Sequence, residues 1–244
     1  MFGPLTIPLL IAAWLALVLF ARWVLDNPRR VPGRAIDEDV IAAGLAYRAM
    51  QVLSVVVHRM RIEGRERLKL GRFPGPLVVV ANHTAGVDPL LIQAACEFEI
   101  RWMMARDMMK PNGDALWKMG RMIPVDRFGR DTTSVRIALR HLKDGGVIGV
   151  FPEGYIERPS RVLKPFLPGV GLIVAKSGAP VLPIVIDGTP EDVSASGSVL
   201  RASRSRLRVL ELVRYGPDMD ALAITRDLEE RFARETGWER STGA

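Results

Sequence analysis

Uncharged positions run without interruption from Phe2 to Ala21, and Leu9, Ile11, Trp14, Leu15, Leu17, Val18, Leu19 and Phe20 make most of that run strongly apolar. A helix needs roughly 20 such residues to cross a bilayer. A signal peptide would add a basic segment before the run and a small-residue cleavage site after it, and the sequence offers neither. A membrane anchor is the expectation. Asn27-Pro28-Arg29-Arg30-Val31-Pro32-Gly33 then reads as a linker. A second apolar helix is expected from Val40 to about Val57, headed by Asp37, Glu38 and Asp39 and carrying one charge, Arg48. It is too apolar for an ordinary surface helix, so it should pack in the core or lie in or against the membrane beside the first.

From residue 76 onward short apolar runs alternate with helical stretches. The expected strands are Leu77–Ala81, Ile100–Ala105, Met122–Val125, Val147–Phe151, Val181–Ile186 and Arg206–Val213. The expected helices are Pro89–Cys96, Met108–Met119, Thr132–Leu142 and Val170–Ser177, with an amphipathic C-terminal helix from Asp218 to about Thr236. Such alternation predicts an α/β fold with a mostly parallel central sheet flanked by helices, preceded by N-terminal membrane-associated helices. Residues 1–60 are expected to form the anchoring segment and residues 61–244 the α/β domain. The Ser-, Gly- and Arg-rich stretch from Glu191 to Ser205 reads as a mobile surface excursion.

Charge narrows the partners. The 34 Lys and Arg residues outnumber the 27 Asp and Glu, for a net charge of +7. This balance suits an anionic partner, whether nucleic acid, an acidic membrane face or a phosphorylated substrate. Few aromatics are interleaved with the basic residues and no nucleic-acid-binding motif is visible, so nucleic acid is not expected. Arg22, Arg29, Arg30 and Arg34 all follow the first apolar run, which predicts a body on the cytoplasmic face. A single cysteine, Cys96, excludes an intrachain disulfide and a zinc site built on cysteine pairs.

In α/β folds the loops at the carboxyl ends of strands carry the site. Three such loops hold side chains with chemistry. Asn82-His83-Thr84-Ala85-Gly86-Val87-Asp88 places an imidazole at the end of one apolar run and a carboxylate at the start of a helix, where Asp88 is expected both to cap the helix and to orient the His83 ring. The other two histidines, His58 among arginines and His141 near a helix C-terminus, are expected to be structural. Arg127 follows Met122–Asp126 and has the geometry to grip a phosphate. Glu153-Gly154 follows Val147–Phe151, where Glu153 is expected to bind substrate hydroxyls, orient Arg127 or order the loop. No Gly-x-Ser-x-Gly elbow, metal constellation, Walker pattern or dinucleotide glycine pattern accompanies them. A base without a protein nucleophile points to direct attack by a substrate hydroxyl.

The chain resembles the glycerolipid acyltransferases, the 1-acylglycerol-3-phosphate acyltransferases and related lysophospholipid acyltransferases. The resemblance rests on four ordered blocks across about residues 62 to 190: His83-x-x-x-x-Asp88; Gly120 with Ile123-Pro124-Val125-Asp126-Arg127; Phe151-Pro152-Glu153-Gly154; and Ala179-Pro180-Val181-Leu182-Pro183. It implies transfer of a fatty acyl group from acyl-CoA or acyl carrier protein, as co-substrate rather than cofactor, to the free hydroxyl of a lysophospholipid in the membrane, in the first place 1-acyl-glycerol-3-phosphate, in phospholipid biosynthesis. His83 and Asp88 would form the catalytic dyad, and Arg127, Glu153 and Gly154 would hold the acceptor. Where the family commonly continues with Thr-Arg-Ser, this chain has Tyr155-Ile156-Glu157-Arg158-Pro159-Ser160, so Arg158 or Arg161 would stand in for the missing arginine. A different lipid acceptor, a lipid hydrolase or transacylase, and a non-enzymatic basic membrane protein are the alternatives.

Overall fold

A computed structural model of the chain describes residues 6–30, 38–109, 114–126, 132–156, 161–191 and 196–241. Among these, seven strands form one sheet in the order β1 (Arg61–Glu63), β8 (Arg206–Val209), β7 (Val181–Asp187), β2 (Leu77–Ala81), β5 (Val147–Val150), β3 (Ile100–Ala105), β4 (Ile123–Val125). All neighbours run parallel except β7 and β8. The sequence expectation of a mostly parallel central sheet flanked by helices is therefore what the chain adopts.

The centre of the sheet explains itself. Leu-Val-Val-Val-Ala in β2 is buried at every position, as a strand covered on both faces requires. Side chains alternate across a pleat, and here they feed two cores. Leu77, Val79 and Ala81 join Leu91 and Ile92 of α3 (Asp88–Ala95) and Phe98 on one face. Val78 and Val80 join residues of α5 (Thr132–Lys143), α6 (Gly169–Ser177) and α7 (Ala221–Thr236) on the other, including Leu142, Ile173, Leu228 and Phe232. With Val80 opposite Val150 and Ala81 opposite Ile184, the carboxyl ends of β5, β2 and β7 arrive side by side at one edge.

Helix α4 (Asp114–Met119) is shorter than the expected Met108–Met119, whose residues 110–113 lie outside the described set. Three short strands, β1, β6 (Val162–Leu163) and β9 (Glu239–Arg240), were not apparent in the hydrophobic pattern; β6 pairs with β9 in a separate ribbon.

The two N-terminal helices are α1 (Thr6–Leu25) and α2 (Glu38–Val56). Among the described residues α2 is long and apolar enough to cross a membrane, while Ile11–Leu25 of α1 is a shorter apolar stretch. One side of α2 packs against the body of the protein, and the other is exposed and apolar. Tyr47 and Ser54 are buried, and the Tyr47 hydroxyl donates to the Cys96 carbonyl (2.9 Å) and Gln51 Nε2 to that of Ala94 (3.3 Å). Ile41, Leu45, Val52, Val55 and Val56 are exposed. Arg48, the one basic residue of α2, caps α1: Nε donates to the Trp23 carbonyl (2.9 Å) and a terminal nitrogen to that of Asp26 (2.6 Å), where a helix end leaves acceptors unsatisfied.

His58 serves structure, as expected: it is fully buried, with Nε2 2.9 Å from the Val199 carbonyl and Nδ1 2.9 Å from Ser203 Oγ. It thereby ties the end of α2 to residues 196–205, so the described part of the expected mobile excursion is instead pinned. His141 is no cation on a helix dipole: burial, and then the neighbouring Arg101 guanidinium, hold its imidazole below the usual range. A depressed folded-state value means that the unfolded chain binds the proton more readily, so stability falls as pH drops below the unfolded value of about 6.5. Acidification in this range is predicted to lower the midpoint of thermal unfolding more for the wild type than for His141→Gln, as followed by circular dichroism; equal slopes would contradict it.

Candidate active site

At the carboxyl end of β2 the chain does not simply turn away. Asn82, fully buried, uses its side chain as one more rung of the sheet: Nδ2 donates to the Ile186 carbonyl and Oδ1 accepts from the Ile186 amide, both at 2.8 Å. This fixes the last residue before His83 against β7.

His83 and Asp88 are brought together as the sequence predicts, with His83 Nδ1 3.0 Å from Asp88 Oδ2. Asp88 is fully buried. Its Oδ2 also accepts from the amides of Thr84 (2.7 Å) and Ala85 (2.8 Å). The expectation that Asp88 caps its own helix is corrected here. Asp88 is the first residue of α3, after Val87 at the N-cap, and its carboxylate turns back to the preceding loop. A five-residue separation leaves just enough chain for the carboxylate to close that loop on itself while reaching the ring.

A carboxylate only accepts hydrogen bonds, so Nδ1 carries the hydrogen and Nε2 is left with its lone pair. The His83 side chain is 17% exposed against 0% for Asp88, so the buried partner orients a ring whose other nitrogen has a way out. On its flat face the imidazole stacks on Phe151 (centroids 4.1 Å apart, planes at 16°), and Phe151 stacks on Trp102 (4.6 Å, 10°). Trp102 lies where it does because Gly149 has no side chain: a Cβ there would sit 2.4 Å from the indole.

The third of the four blocks supplies a support to the His83 loop. Phe151-Pro152-Glu153-Gly154 forms a tight turn closed by the Gly154 amide donating to the Phe151 carbonyl (3.1 Å), with Gly154 at φ +77°. Glu153 is 3% exposed. One of its carboxylate oxygens accepts from the His83 amide (2.8 Å) and the other from the Lys164 amide (3.2 Å). Of the three roles expected for Glu153, ordering the loop is displayed by this geometry, while orienting Arg127 falls outside the described residues. Gly154 faces Leu167, whose Cδ1 would lie 2.8 Å from an added Cβ.

Arg127 and Arg158 lie outside the described residues. Arg161 is described; its Nε is 3.5 Å from Asp187 Oδ1 at the end of β7, and its side chain is largely exposed. Thr189, which sequence reasoning passed over, donates to or accepts from Thr84 Oγ1 at 2.6 Å. Its signal was available: Gly188-Thr189-Pro190 follows an apolar strand on the same edge as His83. Among the described residues no cluster of three or more His, Cys, Asp or Glu side chains is gathered as a metal site.

Such an arrangement can serve as a base, with the ring nitrogen, ring face and main chain of His83 each held by a different partner. A family model described as Acyltransferase matches residues 59–187, which contain His83, Asp88 and Glu153. The chain is similar to the 1-acyl-sn-glycerol-3-phosphate acyltransferase of Helicobacter pylori, 25% identical over 172 residues that cover 68% of this chain and 71% of that protein. It is also similar to the N-acylphosphatidylethanolamine synthase of Arabidopsis thaliana, 29% identical over 127 residues, 47% of this chain and 44% of that one. The solved structure of the 1-acyl-sn-glycerophosphate (LPA) acyltransferase PlsC from Thermotoga maritima superposes with a TM-score of 0.65 and 19% identity over 90% of this chain and 88% of its own, a likeness of fold.

Gly149→Ala is predicted to lower stability by about 1–3 kcal/mol in urea denaturation, because the new methyl displaces the indole from its place against Phe151; an unchanged midpoint would contradict the close approach of Trp102.

Proposed function

The chain belongs to the Acyltransferase family, and we propose that it moves a fatty acyl group from acyl-CoA or acyl carrier protein to the free hydroxyl of a lysophospholipid, in the first place 1-acyl-glycerol-3-phosphate. The observation that carries this reading is the 3.0 Å contact between His83 Nδ1 and the buried Asp88 carboxylate, which leaves Nε2 as the base.

In the reaction, Nε2 takes the proton of the acceptor hydroxyl as its oxygen attacks the thioester carbonyl. The ester C–O bond forms, the C–S bond breaks, and the imidazolium returns the proton to the leaving thiolate. Asp88 stabilises the transient imidazolium through Nδ1. A thioester already carries a good leaving group, so no enzyme nucleophile is needed, which agrees with a site whose lone cysteine, Cys96, is buried at the far end of α3. Glu153 acts as a positioning residue through the His83 amide. Arg127 and Arg158 are assigned to the acceptor's anionic part on the strength of their place in the sequence, and exposed Arg161 is a third cation on that edge.

The acceptor is a membrane lipid, and the exposed apolar faces of α1 and α2 fit a catalytic body seated on a bilayer. Leu9, Ile11, Trp14, Leu17, Leu19 and Phe20 on α1 and Leu45, Val52, Val55 and Val56 on α2 are all open to solvent, more than a soluble monomer ordinarily leaves bare. We assign residues 1–60 to membrane docking and the remainder to the catalytic domain, on the cytoplasmic side by the arginines that follow α1. No cofactor is assigned.

Labelled acyl-CoA incubated with and without lysophosphatidic acid tests the reading. His83→Ala and Asp88→Asn are each predicted to lower transfer to the lysolipid by roughly 10²–10⁴-fold while the protein still floats with liposomes. Undiminished transfer by His83→Ala would end the dyad assignment. Release of free fatty acid at the same rate without any lysolipid would make the protein a hydrolase instead.

A further inference from the structure

Where α1 ends, Leu19, Arg22, Trp23, Asp26 and Arg30 line an open cleft of about 410 Å³. It lies well away from His83 in sequence and belongs to the helix pair rather than to the strand ends. Leu19 and Trp23 are exposed and continue the apolar face of α1 into one wall. The other wall carries charge.

The charges around the cleft are not all alike. Asp26 is already claimed, since Arg72 and Arg48 both pair with it. Arg29 is held by Glu99 at 2.7 Å. Arg48 is fixed further by the terminal carbonyls of α1, which also offsets the negative end of the helix dipole that would otherwise disfavour an anion here. Arg22 and Arg30 are different: among the described residues neither side chain has a carboxylate partner or a hydrogen-bond acceptor.

The turn that carries Arg30 is tied down by one side chain. Asn27, 1% exposed, donates from Nδ2 to the carbonyls of Val24 (3.1 Å) and Val40 (3.2 Å) and accepts the Arg29 amide on Oδ1 (3.0 Å). The Arg30 amide donates to the Asn27 carbonyl (3.1 Å). One buried side chain thus sets the turn out of α1 against the start of α2.

Two unpaired guanidiniums match the oxygens of a phosphate, which they can grip with paired hydrogen bonds. A free phosphate would leave the Leu19 and Trp23 wall unused. A phospholipid uses both, with its phosphate between Arg22 and Arg30, its glycerol beside the indole and its chains along α1; tryptophan favours this level of a bilayer. We propose that the cleft binds the headgroup phosphate of an anionic bilayer phospholipid that is not a reactant. The proposal rests on the reading of α1 and α2 as membrane-seated. Because α2 is bonded to α3 through Tyr47 and Gln51, and α3 begins at Asp88, a lipid held here fixes the height of the catalytic end of α3 over the bilayer.

The test is sedimentation of the full-length chain with vesicles of phosphatidylcholine alone and of phosphatidylcholine doped with phosphatidylglycerol. The wild type should bind both and prefer the doped vesicles. Arg22→Gln combined with Arg30→Gln should lose that preference by roughly tenfold or more and keep its binding to neutral vesicles. Arg226→Gln combined with Arg234→Gln, two exposed charges on α7 behind the opposite face of the sheet, should retain most of the preference. Equal losses in the two double variants would overturn the site in favour of diffuse charge, as would an unaltered Arg22/Arg30 variant. Saturable binding of inorganic phosphate without any preference for doped vesicles would overturn the lipid assignment. Failure of the wild type to bind either vesicle would instead remove the membrane reading beneath it.

Discussion

A fully buried carboxylate has to find its donors inside the protein, and their convergence on Asp88 Oδ2 is the constraint from which the rest of the site follows. An isolated charge in a protein interior costs several kcal/mol unless it is paired and hydrogen-bonded. The Thr84 and Ala85 amides, the Thr84 hydroxyl and the His83 imidazole meet that need together. Asp88 Oδ1 has no donor among the described residues, so the demand falls on a single oxygen. The same geometry that solvates the carboxylate therefore selects the histidine tautomer. Structure and chemistry are set by one set of hydrogen bonds.

A second buried carboxylate completes the frame from the neighbouring strand. Asp88 holds the ring of His83 and Glu153 holds its main-chain amide, while Phe151, backed by Trp102, covers the ring face. Asp88 comes from α3, Glu153 and Phe151 from the turn after β5, and the indole behind Phe151 from β3. Parallel pairing of β2 with β5 brings these elements into register, and the Asn82 bonds to β7 lock the other side. Such restraint is what makes an imidazole a useful base rather than a mobile one. The apolar α2 reaches this frame through α3, to which Tyr47 and Gln51 hydrogen-bond.

The sequence made the strands and the dyad legible for physical reasons that are easy to state. Leu77–Ala81 and Ile100–Ala105 are continuous apolar runs of strand length, and their observed limits coincide with the expected ones. His83 and Asp88 stood out because they close one loop within a few residues. Features assembled from distant parts of the chain were less visible. The His83–Phe151–Trp102 stack joins three strands and depends on an absent side chain at Gly149. His58 looked like part of a basic surface because its partners, Val199 and Ser203, lie about 140 residues away and only tertiary folding delivers them. Helix capping was a local rule that lost to a stronger local need, since Asp88 serves the loop before its helix. The apolar α2 could not be assigned from hydropathy alone because it has two different faces, one on α3 and one bare.

The claim that Asp88 fixes His83 with Nδ1 protonated and Nε2 free is open to direct observation. The nitrogen-15 spectrum of the imidazoles in the full-length protein contains only three histidines, and the His83 signals can be assigned by their loss in His83→Gln. At a pH where the ring is neutral, the account predicts a protonated, pyrrole-type Nδ1 and an unprotonated, pyridine-type Nε2, with that order lost in Asp88→Asn. A wild-type ring protonated on Nε2, or a tautomer unaffected by Asp88→Asn, would contradict it.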